Sequence, residues 1–165
     1  MKLAVVLCIG LIAAAGQPLR AQACGAEKQD FDVTLDRTQH TLPAAEPGKS
    51  LLVFVQDTGV PTLRAPALLA RVAVDGSWTG ALKNESWFAV SVEPGMKHLC
   101  VLNQPRVSKG VTELLPLKAE PGHTYYIRIR NWTWVGNYME VAETNEGQGT
   151  YMVSVSPLAQ SKAKK

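Results

Sequence analysis

Hydrophobic and polar positions alternate with a period of two along most of the chain after residue 30, and few stretches show the 3.6-residue period of a helix. In FDVTL, Phe31, Val33 and Leu35 alternate with Asp32 and Thr34, as in a half-buried strand. LLVFV (Leu51–Val55) is apolar on both faces and reads as a central strand. RVAVDGSWTGAL sets Asp75-Gly76 between two apolar runs, the signature of a type I′ hairpin. SWFAVSV puts Phe88, Val90 and Val92 on one face and Trp87, Ala89 and Ser91 on the other. Met96, His98, Cys100 and Leu102 share a face of the next run. VTELLPLKA carries Pro116, which cannot donate to a ladder, so this strand belongs at an edge or a bulge. HTYYIRIRNWTWV and NYMEVAE read as two more strands. QDTGVPTLRAPALLA reads as a loop with at most one helical turn, at Ala67–Ala70, and TNEGQG as a turn. The run from Thr150 to Ser156 fits a last strand or a short helix equally, and residues 159–165 read as a polar, disordered tail.

The tripeptide Glu-Pro-Gly precedes three of the apolar runs, at Glu46-Pro47-Gly48, Glu93-Pro94-Gly95 and Glu120-Pro121-Gly122. Proline presets the first corner of a type II turn and glycine accepts the positive φ of the second. Gly48, Gly95 and Gly122 are therefore expected at positive φ, each turning the chain into a strand. Their flanks do not repeat, so the tripeptide marks corners and not an internal repeat. Seven to nine short strands at this spacing, with one or two helical turns at most, predict an all-β fold, an antiparallel β-sandwich of immunoglobulin- or transthyretin-like layout.

The first residues change the compartment. Lys2 is followed by a short apolar run, Leu3–Ala15, too short to span a bilayer, and Ala21-Gln22-Ala23 fits a signal-peptidase site. Residues 1–23 are thus expected to be a cleaved signal peptide and 24–158 a single domain. Cleavage removes Lys2, Arg20 and Cys8 and leaves 15 basic against 14 acidic residues, net +1, which offers no field for nucleic acid. The two remaining cysteines, Cys24 and Cys100, are an even number in an exported chain and suggest a disulfide. Lipidation of Cys24 is the excluded alternative if that bridge forms, and would make the protein an outer-membrane lipoprotein. The periplasm or the extracellular space is the expected location.

VAVDGSWTGALKNESWFAVSVEPGMKHLCV, LKAEPGHTYYIRIR and EPGKSLLVFVQDTG together resemble the bacterial exported proteins grouped as domain-of-unknown-function family 2846. The resemblance spans about Cys24 to Leu158. It implies a compact exported β-sandwich, lipid-anchored in some members, and implies no activity. It also favours a Cys24–Cys100 bridge, because CG after the signal and HLC in this strand occur together in the members most like this chain.

Candidate chemistry is sparse. His40, His98 and His123 fall in separate segments without metal-ligand spacing, so no metal and no cofactor is expected. His98 reads as a half-buried side chain bonded to backbone, holding its turn. No serine stands in a nucleophile elbow and no pair of acids is brought together by spacing, which leaves no catalytic residue to name and makes a hydrolase a distant reading. One stretch stands out: strict alternation places Tyr125, Ile127 and Ile129 in the core and Tyr126, Arg128, Arg130, Trp132 and Trp134 on an outer, solvent-facing ladder. Flat rings and planar guanidinium forks can stack sugars or grip carboxylates. The expected function is a non-catalytic binding or structural module of the cell envelope with an unidentified envelope protein as partner. The alternative is a module that binds a glycan or an acidic peptide through this ladder.

Overall fold

A computed structural model describes Cys24 and residues 29–58, 69–83, 85–104, 112–132 and 138–165. The period-two stretches become strands: β1 (Phe31–Asp36), β2 (Ser50–Thr58), β3 (Leu69–Val74), β4 (Ser77–Lys83), β5 (Trp87–Val92), β6 (Gly95–Gln104), β7 (Thr112–Ala119), β8 (Thr124–Trp132), β9 (Tyr138–Thr144) and β10 (Leu158–Ala163), with one helix, α1 (Glu146–Val155), between the last two. They form a six-stranded sheet in the order β1-β10-β5-β2-β8-β9 and a four-stranded sheet in the order β4-β3-β6-β7. The fold is an all-β sandwich. Leu52, Phe54, Phe88, Ile127 and Ile129 of the larger sheet meet Val72, Leu82, Leu99, Val101 and Leu117 of the smaller one in the central core. The margins close because β9 lies beside β7, and β1 and β10 lie beside β4.

Three expectations are corrected. Leu69 and Ala70 open β3 and do not continue a helical turn from residues 67–68, which lie outside the described residues. The region around residues 150–156 is helical, and α1 runs to ten residues, more than the helical turns expected. The tail is not disordered: Leu158–Ala163 pairs antiparallel with β1 in six-residue register, from Phe31 opposite Ala163 to Asp36 opposite Leu158. Its polar composition hid it. β10 lies between β1 and β5; Ala159 is buried in the core, and the exposed Gln160–Ala163 are held by the backbone ladder with β1. Pro116 lies in β7, an edge strand, as its missing N–H requires.

The three Glu-Pro-Gly corners have one architectural cause. β2 and β8 are parallel neighbours, Leu51 opposite Thr124, while Val92 at the end of β5 stands opposite Ser50. All three corners therefore gather at one pole. Gly48 (φ 79°) and Gly122 (φ 75°) close hydrogen-bonded turns, Lys49 N–H donating to the Glu46 carbonyl at 3.0 Å and His123 N–H to that of Glu120 at 3.2 Å. The two turns also bond each other, Gly122 N–H to the Lys49 carbonyl at 2.9 Å. Gly95 (φ 123°) is a sharper kink with which the chain leaves the larger sheet and starts β6 in the smaller. A Cβ at Gly122 would meet no atom within 4 Å, so its cost is conformational alone. Gly122→Ala should lower the unfolding free energy by about 1 kcal/mol in urea titration; an unchanged midpoint would show that the turn relaxes freely.

Asp75 (φ 50°) and Gly76 (φ 78°) form the β3–β4 turn with both central residues at positive φ, as type I′ requires. Burial alone would raise the Asp75 carboxyl. The backbone N–H of His98, at 2.9 Å, and the Lys97 ammonium, at 3.1 Å, outweigh it and hold the group below its ordinary value. The His98 ring, by contrast, is 58% exposed and stands 3.6 Å from Asp75 Oδ1. Among the described residues the ring makes no hydrogen bond to backbone, against expectation; the main chain of His98 secures the hairpin.

Cys24 is bridged to Cys100, which faces outward from β6. Beside it, Arg71 is completely buried on the same face. Its Nη1 donates to the Gln29 carbonyl at 2.6 Å and faces the Asp30 carboxylate at 3.4 Å, with the guanidinium 4.8 Å from the Trp78 ring centroid. Cys24 and Asp30 are thus each fastened to the smaller sheet, one covalently and one ionically.

Candidate functional site

The outer face of the larger sheet is where the sequence placed its ladder, and the parity is correct. Ile127 and Ile129 lie in the central core with Tyr125 packed against it, and Tyr126, Arg128 and Arg130 lie on the other face. That face is not open to solvent. Tyr126 is only 5% exposed, because α1 lies across it. Leu51, Val53, Val55, Trp87 and Tyr126 from the sheet and Met152 and Val153 from the helix make a second, smaller core. The Trp132 side chain and all of Trp134 lie outside the described residues.

α1 begins at Asn145, whose Oδ1 accepts from Gln148 N–H at 2.9 Å, with Glu146 in the first turn beside the positive end of the helix. Gly149, Met152 and Val153 face the sheet, the i, i+3, i+4 spacing of a helix laid on a surface. Gly149 is the point of closest approach. A Cβ there would come within 3.0 Å of three atoms of the Tyr126 side chain. Above it, the Tyr126 hydroxyl and the Thr150 hydroxyl bond at 3.2 Å. At the far end Ser156 caps the helix, and the His40 ring sits between the carbonyls of Ser156 (3.1 Å) and Arg37 (2.9 Å).

The two arginines of the ladder are engaged within the sheet. Asp57, at the end of β2, accepts from Arg128 Nε at 3.0 Å and from its Nη2 on the same oxygen, and stands 4.0 Å from Arg130 Nε. Arg130 Nη1 is 3.8 Å from Glu140 of β9. Asp57 stands opposite Arg130, and Arg130 opposite Glu140, in the strand register. Four charges of alternating sign therefore cross three neighbouring strands and sum to zero.

Between this row and α1 lies a groove of about 380 Å³. Asp57 and Arg128 line its floor, Gln148, Tyr151 and Val155 its helical wall, and Glu85 of the β4–β5 connection its end. Tyr151 and Val155, one helical turn apart, are 66% and 60% exposed, although both are large and apolar. The sequence reading missed this groove, since Asp57, Gln148 and Tyr151 drew no notice. The Asn-x-x-Gln signal at 145–148 marks a helix start and was available. Gly147 and Gly149 obscured it by lowering helix propensity.

No metal-binding constellation of histidine, cysteine or carboxylates occurs among the described residues. Likewise, no helix among them is long and apolar enough to cross a membrane. No protein-family model, curated protein or solved structure matches the chain.

Proposed function

We propose that this protein is an exported, non-catalytic binding module of the bacterial cell envelope, and that it meets its partner through the groove between α1 and the larger sheet. The groove carries the reading: two large apolar side chains stand exposed on a helix wall beside fixed polar groups, an arrangement suited to binding. Export is supported by the apolar segment at Leu3–Ala15 and by the Cys24–Cys100 bridge, since disulfides persist in oxidising compartments. The likeness of the Asp-Gly, Pro-Gly-x-x-His and Pro-Gly-x-x-Tyr-Tyr motifs to exported family 2846 supports the same location. The bound component belongs to the envelope itself.

Co-sedimentation of the purified protein with bacterial envelope fragments tests this. Tyr151→Ser with Val155→Ser should reduce the retained fraction at least tenfold. Both side chains are exposed, so Tm should shift little, each change costing under about 0.5 kcal/mol. Met96→Ser with Leu114→Ser, equally exposed on the smaller sheet, is the control and should be retained like the wild type. Loss of retention in the control alone would move the contact to the smaller sheet and end the groove reading.

A further inference from the structure

We infer that the ligand of the groove is an uncharged saccharide. The inference rests on the groove reading above and narrows it to one chemical class. The two charged groups of the floor, Asp57 and Arg128, are already committed to each other, and the row continues beyond the groove. Arg128 gives two donors to one oxygen of Asp57, Arg130 reaches both Asp57 and Glu140, and all three ionic contacts lie within 4.0 Å. The Arg128, Arg130 and Asp57 side chains are each under one-third exposed, so the row is held in place and partly removed from water.

An acidic peptide seated in the groove would have to take Arg128 from Asp57. A basic one seated on the floor would have to take Asp57 from Arg128. Either exchange trades an existing charge-assisted pair for a new one and strands the displaced charge in a half-buried site, where its desolvation is uncompensated. A neutral polyol makes no such demand. Carboxylate oxygens and guanidinium N–H groups keep spare lone pairs and donors after forming one pair, and these are planar and pre-oriented, as vicinal hydroxyls require. The exposed Tyr151 ring adds a flat apolar platform against which the C–H face of a pyranose can lie, with Val155 extending it by one helical turn. The volume of about 380 Å³ is within the range of small-ligand sites.

The test is an amide NMR titration of the protein with five probes: chitotetraose, cellotetraose, maltotetraose, tetra-lysine and tetra-glutamate. At least one tetrasaccharide should shift the amides of α1 and of Asp57 and Arg128. Its Kd should change less than twofold between about 20 and about 300 mM salt, because screening acts on charged ligands and not on neutral ones. Tyr151→Ala should weaken that binding at least tenfold, and Tyr151→Phe, which keeps the platform, should restore it to within about threefold. Asp57→Asn should create binding of tetra-glutamate that the wild type lacks, because it releases Arg128. Salt-dependent shifts from either peptide in the wild type, with none from the sugars, overturn the saccharide assignment and leave the groove standing. Silence from all three sugars overturns it as well. Co-sedimentation unaffected by the Tyr151 and Val155 changes removes the groove itself.

Discussion

Replacing both Cys24 and Cys100 with serine should lower the unfolding free energy by about 4 kcal/mol. The bridge closes a loop with a sequence separation of 76 residues, and in the chain-entropy view most of its effect lies in the unfolded chain, whose freedom it limits. A domain of this size has a net stability of about 5–15 kcal/mol, so the loss is a large share of the total. Guanidinium titration of the wild type with and without reductant should reproduce the difference, with a steeper transition when the bridge is absent because more surface is exposed on unfolding. The native ladders of β3 and β6 should keep their hydrogen-exchange pattern at low denaturant. A difference under about 1 kcal/mol would mean that the unfolded chain is already held compact by other contacts.

The second large effect runs against helix propensity. Alanine in place of glycine inside an exposed helix ordinarily stabilises by about 1 kcal/mol. Gly147→Ala should follow that rule, because its Cβ would make only an ordinary contact with Asn145 Oδ1 at 3.5 Å. Gly149→Ala, two residues on, should have the opposite sign and cost about 2 kcal/mol. Its Cβ would overlap Cβ, Cγ and Cδ1 of Tyr126, the root of a buried ring that cannot swing away, so α1 must lift from the sheet. The two substitutions compared by thermal denaturation give a result that propensity alone cannot produce. Combining Gly149→Ala with Tyr126→Ala should give a smaller loss than the sum of the two, since each removes the clash or fills the space created by the other. Additive losses would place the strain elsewhere.

The parity of β1, β5, β6 and β8 is legible in the sequence. Phe88, Val90 and Val92 were separated correctly from Trp87 and Ala89, and the Asp75-Gly76 hairpin and the positive φ of Gly48, Gly95 and Gly122 were readable from local chemistry alone. What failed was the environment of a correctly assigned face. Leu51, Val53 and Val55 make β2 apolar on its outer side, which demands a cover. β8 is its parallel neighbour, with Tyr126 opposite Val53. Whatever covers Val53 must also cover Tyr126. The pairing of β2 with β8 is a long-range fact that periodicity does not contain, and without it the Tyr126–Arg130 ladder read as exposed. The groove was illegible for the same reason: Asp57 and Tyr151 are 94 positions apart in the chain and meet only after the sheet and α1 have come together. The β10 strand escaped because nothing in LAQSKA distinguishes a largely exposed, ladder-held strand from a tail.

That last strand sets an order of events during synthesis. β1 has β10 as its sheet neighbour, with Phe31 opposite Ala163, so the first strand of this sandwich waits for its ladder partner until residues 158–163 have been made. Closing so long a loop is slow, and contacts of this range delay folding. A chain threaded N-terminus first therefore cannot finish its larger sheet midway. The sheet stays open at β1 until residues 158–163 are made and locks when β10 pairs with it.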